Sequence, residues 1–292
     1  MTLRPRRSVL YMPGSNARAL EKAKTLAADC LILDLEDAVA PDAKALAREQ
    51  IAAAVTAGGY GRREVVVRVN DLNTEWGADD MSALAPIGPD ALLVPKVNSA
   101  QDIEQASSAL DDAGAGAHVG LWAMIETPLS VLGVEAVADT ANRTRLKAFV
   151  MGTNDLAKET GARLTPGRAP FLGTLMTCVL AARAHGLAIL DGVYNDIADA
   201  EGFAAECGAG RDFGFDGKTL IHPSQIGPCN EIFAPDDAEV TQARKIVAAF
   251  DLPENAGQGV ITVDGRMVEL LHAEIARRTV AVAEAIAAMQ QK

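Results

Sequence analysis

Glu126 and Asp155 are the two residues of this chain best placed to do chemistry. Glu126 closes the apolar run HVGLWAMIE, and Asp155 closes KAFVMGTND. They lie 29 residues apart, about the length of one strand-plus-helix repeat. In a parallel barrel that spacing sets both carboxylates on neighbouring strands at the same rim. Two carboxylates converging there suit Mg²⁺, which binds few protein oxygens and keeps its other positions for water or substrate. An acidic residue at a strand end can also cap the next helix or pair with a lysine. For Asp37 and Asp42 capping stays open. Glu126 is harder to explain that way, because Thr127 followed by Pro128 is the better start for a helix.

Other polar residues crowd onto the same predicted strand ends. They include Pro13-Gly14-Ser15, Asp34, Glu36, Asp37, Arg68, Asn70, Lys96, Asn154, Asp191, Asp216 and Lys218. Several acids on one rim repel one another unless a cation sits among them, which strengthens the metal expectation. Arg68, in VVVRVN, offers a planar fork that suits a substrate carboxylate. A structural ion pair with one of the acids is its other reading. His118, His185 and His272 show no metal-ligand spacing, and His222 falls in a turn where it can cap a short helix.

The elements that must position these residues are legible as a repeat. Short Val-, Ile- or Leu-rich runs predict strands over 8–13, 30–36, 64–70, 91–97, 118–126, 147–153, 187–193 and 212–218, with Ala-rich helices between most of them. Eight such units in 292 residues predict a (β/α)₈ TIM barrel over 1–235. The first strand lacks a GxGxxG loop, which disfavours a dinucleotide fold. Residues 236–292 read as a C-terminal helical extension: a helix, a hairpin-like stretch and a last long helix, expected to pack on the barrel and on a neighbouring subunit.

A net charge of −12 argues against nucleic acid or an anionic membrane as partner, so a polyanionic ligand would have to find a local basic patch. Only 4% of residues are aromatic, in keeping with buried parallel strands under small-faced helices. Cys30, Cys178, Cys207 and Cys229 lack CxxC pairing and are expected as buried thiols of a cytoplasmic protein. No apolar run approaches a membrane span or a signal peptide.

The strings RRSVLYMPGSNARALEKA, LILDLEDAVAPDAKALAR, VVVRVN, LLVPKV, IETP, GTNDLA and GFDGKTLIHPSQI, in this order, resemble the citrate lyase β-subunit-like family. That family includes malyl-CoA and citramalyl-CoA lyases. The likeness runs from residue 7 to about 230. It implies a Mg²⁺-dependent barrel, a homotrimer or hexamer, acting on an acyl-CoA or acyl-carrier thioester. By the resemblance Glu126 and Asp155 are the metal ligands, while Glu36 and Asp37 hold water in the next shell. Arg68 would grip a 2-oxo acid, with Gly152, Thr153 and Asn154 lining the pocket. Arg7, Arg18, Lys24 and Lys218 are candidates for the CoA phosphates.

The implied reaction is retro-Claisen cleavage of a 3-hydroxyacyl thioester to a 2-oxo acid and acetyl-CoA. Three alternatives stay open: a citrate lyase β subunit, a malyl-CoA thioesterase, and a non-catalytic thioester-binding scaffold. The chain departs from the family at one point. Where the best-characterised lyases carry a catalytic aspartate in a G-x-M-[IV]-D-x-P motif, it reads GRMVELLHAE, with Glu269 in the aspartate's place. Glu269 can perform the proton transfer, tune the site for another acyl chain, or lie on the surface. A displacement of about 1 Å can cost roughly a hundredfold in rate.

Overall fold

The computed structural model describes residues 4–290. Eight parallel strands close into a barrel in sequence order: β1 (Ser8–Pro13), β2 (Cys30–Asp34), β3 (Glu64–Arg68), β4 (Ala91–Val94), β5 (Gly120–Ile125), β6 (Leu146–Met151), β7 (Ala188–Asp191) and β8 (Gly217–Leu220). β1 pairs with both β2 and β8, so no edge is left open. Parallel strands under helices are buried on both faces, and β2 to β5 are buried along their whole length. Inside the barrel, Val9, Ile32, Val66, Leu93, Trp122, Val150 and Leu190 belong to one apolar cluster. The predicted (β/α)₈ barrel is therefore the observed fold.

Register explains which polar side chains meet. The last pair of β2 and β3 sets Asp34 opposite Arg68, and Asp191 at the end of β7 pairs with Lys218 of β8. The last pair of β5 and β6 is Ile125 with Met151, so Glu126 and Gly152 leave the sheet side by side.

The eighth strand differs from expectation. DFGF was expected in a strand over 212–218, but a helix over Ala200–Phe213 runs through its first residues. Gly214 then ends that helix in a left-handed conformation (φ 94), which costs a glycine little. Asp216 consequently precedes β8, at the end of the barrel away from the rim, and pairs with Arg183 at 2.9 Å.

Contacts divide the described residues into two compact units. One spans Arg6–Asn230; the other runs from Glu231 onward and includes Arg4 and Pro5. The second unit holds a helix over Asp237–Phe250, a hairpin of β9 (Val260–Val263) and β10 (Arg266–Glu269), and a helix over Leu270–Gln290. Asp264 and Gly265 both take positive φ (49 and 76), the requirement of a two-residue hairpin turn. Phe250, Ile261, Val263, Val268 and Ala273 form this unit's own core. All four cysteines are buried thiols. Among the described residues no helix is long and apolar enough to cross a membrane.

Candidate active site

The C-terminal ends of the barrel strands surround a cavity of about 300 Å³. Its walls include Tyr11, Asp34, Asp37, Arg68, Glu126, Gly152, Thr153, Asn154 and Asp155, so the rim residues singled out in the sequence do converge. Thr127 caps the helix that opens at Pro128, its hydroxyl accepting the Ser130 N–H at 3.0 Å. Capping is thus done by Thr127, and Glu126 is released to point into the pocket.

Glu126 is 1% exposed. Burial pushes its carboxyl above the usual carboxylate range, and the Lys96 charge opposes this without cancelling it. The Lys96 ammonium lies 2.6 Å from Asp155 Oδ1 and 3.5 Å from Glu126 Oε1. The backbone N–H of Lys96 donates to the same Glu126 oxygen at 2.8 Å. Burial lowers the pKa of Lys96, but Asp155 and Glu126 more than offset this and hold it above its ordinary value. A cationic group therefore already sits between the two acids.

Gly152 leaves room for the Glu126 side chain. A Cβ at Gly152 would collide with Glu126 Cβ and sit 2.6 Å from Glu126 Oε2. Gly152 also caps the helix over Thr153–Thr160, which carries Asp155 in its first turn. The N–H groups of a first helical turn lack intrahelical partners and favour negative charge. Asn154 is tied to Asn195 by a pair of amide hydrogen bonds, 3.1 and 2.7 Å.

Arg68 is placed differently from the fork that the sequence suggested for a substrate. Its Nε and Nη2 grip Asp34 at 2.7 and 2.6 Å, as the strand register dictates. Asp34 is held further by the N–H groups of Glu36 and Ala38. The bidentate edge is thus structural, and only Nη1 faces the remaining acids, 2.6 Å from Glu36 Oε2 and 3.1 Å from Asp37 Oδ2. Glu36 Oε2 is buried and outside hydrogen-bonding geometry despite that short ion pair. Burial pushes the Glu36 carboxyl up to about 8, with Asp37 and Glu126 adding to the effect against Arg68. For Asp37, largely exposed, burial acts to raise the carboxyl, but Arg68, a hydrogen bond with Glu36 and the Lys96 charge together hold it below its ordinary value.

The four basic residues considered for CoA phosphates separate. Arg7 precedes β1 and is buried, bound to both carboxylate oxygens of Asp29 at 2.8 Å. Lys218 is a barrel-interior residue with no exposure, bonded to Asp191 at 3.0 Å and Glu206 at 2.7 Å. Neither can reach a ligand in solution. Lys24 follows the helix over Ala17–Ala23, pairs with Glu21 at 2.7 Å and lies over Tyr60, near the loop that leads into β3. That is the end of the barrel opposite the pocket. Arg18 alone is exposed in the first turn of the helix after β1, on the pocket side.

Two features escaped the sequence. Arg168, Asp191, Lys218 and Glu206 form a buried cluster, with Arg168 Nη1 2.6 Å from Asp191. Burial would raise the Asp191 carboxyl, yet Lys218 and Arg168 hold it below its ordinary value. Four separate segments build that cluster, so nothing local announces it. Lys96 was visible on the rim, but its left-handed backbone (φ 53) carries no sequence signal. Glu269 ends β10 in the second unit, half-buried, its N–H donating to His272 Nδ1 at 3.0 Å.

Among the described residues no three His, Cys, Asp or Glu side chains converge as a metal cluster. The donor set is two carboxylates around a cationic position, which fits an ion that retains most of its water. A closed parallel barrel with a carboxylate-lined pocket at its C-terminal rim defines an enzyme-type site of the kind these barrels carry. Residues 7–223 match the HpcH/HpaI aldolase/citrate lyase family, and the chain belongs to that family. It is 52% identical to a (3S)-malyl-CoA thioesterase of Cereibacter sphaeroides, covering 97% of this chain and 96% of the relative. An L-malyl-CoA/beta-methylmalyl-CoA lyase from the same species is 34% identical over 98% and 96% of the two chains. The crystal structure of the CitE protein from Mycobacterium tuberculosis in complex with magnesium, acetoacetate and coenzyme A superimposes with a TM-score of 0.73. It is 28% identical to this chain, and the match covers 95% of this chain and 99% of that one.

Proposed function

We propose that this protein is a Mg²⁺-dependent hydrolase of a malyl-CoA-type thioester, releasing the 2-hydroxy diacid and coenzyme A. The observation that carries the metal-dependent part is the convergence of Glu126 and Asp155 on one cationic position in the rim pocket. The choice of hydrolysis is supported by the 52% identity to a malyl-CoA thioesterase along nearly the whole chain.

Glu126 and Asp155 would hold the ion directly, and Glu36 and Asp37 would orient water beside it. When bound, Mg²⁺ supplies Lewis-acid polarisation of a substrate oxygen and a template for the acid. Arg68 Nη1 turns from Glu36 and Asp37 toward the substrate carboxylate. The first-turn N–H groups after Gly152 receive negative charge developing on the substrate. Arg18 binds a phosphate of the CoA moiety. Glu269 is the carboxyl group proposed to move a proton. In hydrolysis a water oxygen attacks the thioester carbon, the C–S bond breaks, and the sulfur leaves as the thiol after taking a proton.

Carbon–carbon cleavage is the second reading, favoured by the likeness to a malyl-CoA/beta-methylmalyl-CoA lyase. There the 3-hydroxyl loses its proton, the adjacent C–C bond breaks, and the acetyl-CoA enolate is reprotonated. Product analysis separates the two. Malyl-CoA with Mg²⁺ should yield malate and free thiol in equal amounts; glyoxylate and acetyl-CoA would establish the lyase instead. A homotrimer or hexamer is proposed for the assembly. The second unit exposes Val260, Met267, Leu270, Leu271 and Ile275, as an interface segment would, and light scattering measures the mass.

A further inference from the structure

The inference concerns Lys96 and rests on the reading of Glu126 and Asp155 as metal ligands. We propose that the Lys96 ammonium is a resident counter-ion of the metal site, which holds the two carboxylates together without metal and must be displaced when Mg²⁺ binds.

Three observations carry it. The ammonium lies between the two carboxylates that would hold the metal, at 2.6 Å from Asp155 and 3.5 Å from Glu126. Glu126 is 1% exposed, and a carboxylate so buried is strongly disfavoured without a compensating charge. Finally, the backbone of Lys96 is left-handed (φ 53), a conformation that non-glycine residues keep only where the surroundings fix it and that clusters at ligand clamps. The Lys96 N–H bond to Glu126 Oε1 and the Asn98 side-chain bond to the Lys96 carbonyl provide that fixing.

Two consequences follow. The carboxylates are preorganised before metal arrives, because their mutual repulsion is already compensated. Metal affinity is weakened, because the ion competes with an ammonium tethered beside the two carboxylates. With Mg²⁺ in place, the like charges of ion and ammonium expel the Lys96 side chain toward solvent, where its 27% exposure already gives it a path.

The test is calorimetric titration of Mg²⁺ into the wild-type protein and into Lys96→Met and Lys96→Gly, the glycine variant also suiting the left-handed backbone. Tighter binding in a folded variant, about tenfold or more, is expected. In parallel, acetylation of Lys96 by an N-hydroxysuccinimide ester is followed by mass spectrometry, which requires no variant. It should be slow without Mg²⁺ and at least several-fold faster with it. Equal or weaker Mg²⁺ binding by the variants, or labelling indifferent to Mg²⁺ in a wild-type protein that binds it, overturns the inference. A wild-type protein that binds no Mg²⁺ overturns the metal reading and this inference with it.

Discussion

Gly152 lies so close to Glu126 that any β-carbon there would sit 2.6 Å from the carboxylate oxygen Oε2. The cause is register: Ile125 and Met151 are the last partners of β5 and β6, so the next residue of each strand emerges shoulder to shoulder. Gly152→Ala is predicted to push Glu126 out of position. Misplacement on the order of 1 Å costs roughly a hundredfold in rate, and the overpacking itself costs about 1–3 kcal/mol. Turnover and Mg²⁺ affinity should therefore fall together while the denaturation midpoint shifts modestly. Steady-state kinetics with calorimetry and urea unfolding measure all three.

Asp191 contributes to stability through its charge. Burial alone would raise its pKa, but Lys218 and Arg168 lower it below the unfolded value of about 3.9. A folded pKa below the unfolded one means stability that is fully present above about pH 4 and is lost as pH falls through the folded pKa. Asp191→Asn should lose about 3–5 kcal/mol at neutral pH, since it leaves two buried cations with Glu206 as their one remaining carboxylate in the cluster. Its urea midpoint should also fall less steeply than the wild type's below pH 4. Unfolding curves from pH 3 to 7 test both statements.

Arg18 and Arg7 should behave oppositely. Arg18 is exposed on the pocket side, so Arg18→Ala is predicted to raise KM for the CoA thioester several-fold with kcat little changed. Arg7 is locked to Asp29, so Arg7→Ala should lower stability by roughly 3–5 kcal/mol and leave KM alone in the protein that folds. Paired kinetic and thermal-denaturation measurements separate a ligand contact from a structural ion pair.

Glu269→Gln removes the proton-transfer carboxyl while keeping its size. A loss of about 10²–10⁴ in kcat is expected if Glu269 is the acid/base group. Unchanged turnover would exclude it from the mechanism. Glu269→Asp then reports whether the extra methylene matters for the acyl chain accepted.

Barrel topology was legible because seven of the eight strands announce themselves as short apolar runs, and because the rim is where polarity breaks those runs. Glu126, Asp155, Glu36, Asp37 and Arg68 all follow from this rule and all face one pocket or its edge. The eighth strand was misplaced because DFGF is as apolar and aromatic as a strand, while the deciding residue was Gly214, which ends a helix. That error moved Lys218 from the barrel interior to a supposed rim. What strand patterns lack is register. Asp34 opposite Arg68, and Asp191 opposite Lys218, depend on how the barrel staggers, so the sequence alone left both readings of Arg68 open, substrate fork and structural ion pair, without naming Asp34 as the partner. Lys96 illustrates a further limit: its side chain reaches both acids from a left-handed backbone that residue type does not reveal.

Metal-dependent product formation tests the central claim most directly. Malyl-CoA is incubated with the wild-type protein in Mg²⁺, in excess chelator, and with Glu126→Gln in Mg²⁺, while thiol release and malate are quantified. The account predicts stoichiometric thiol and malate in the first reaction and background levels in the other two. Full thiol release in chelator, or from Glu126→Gln, would contradict it.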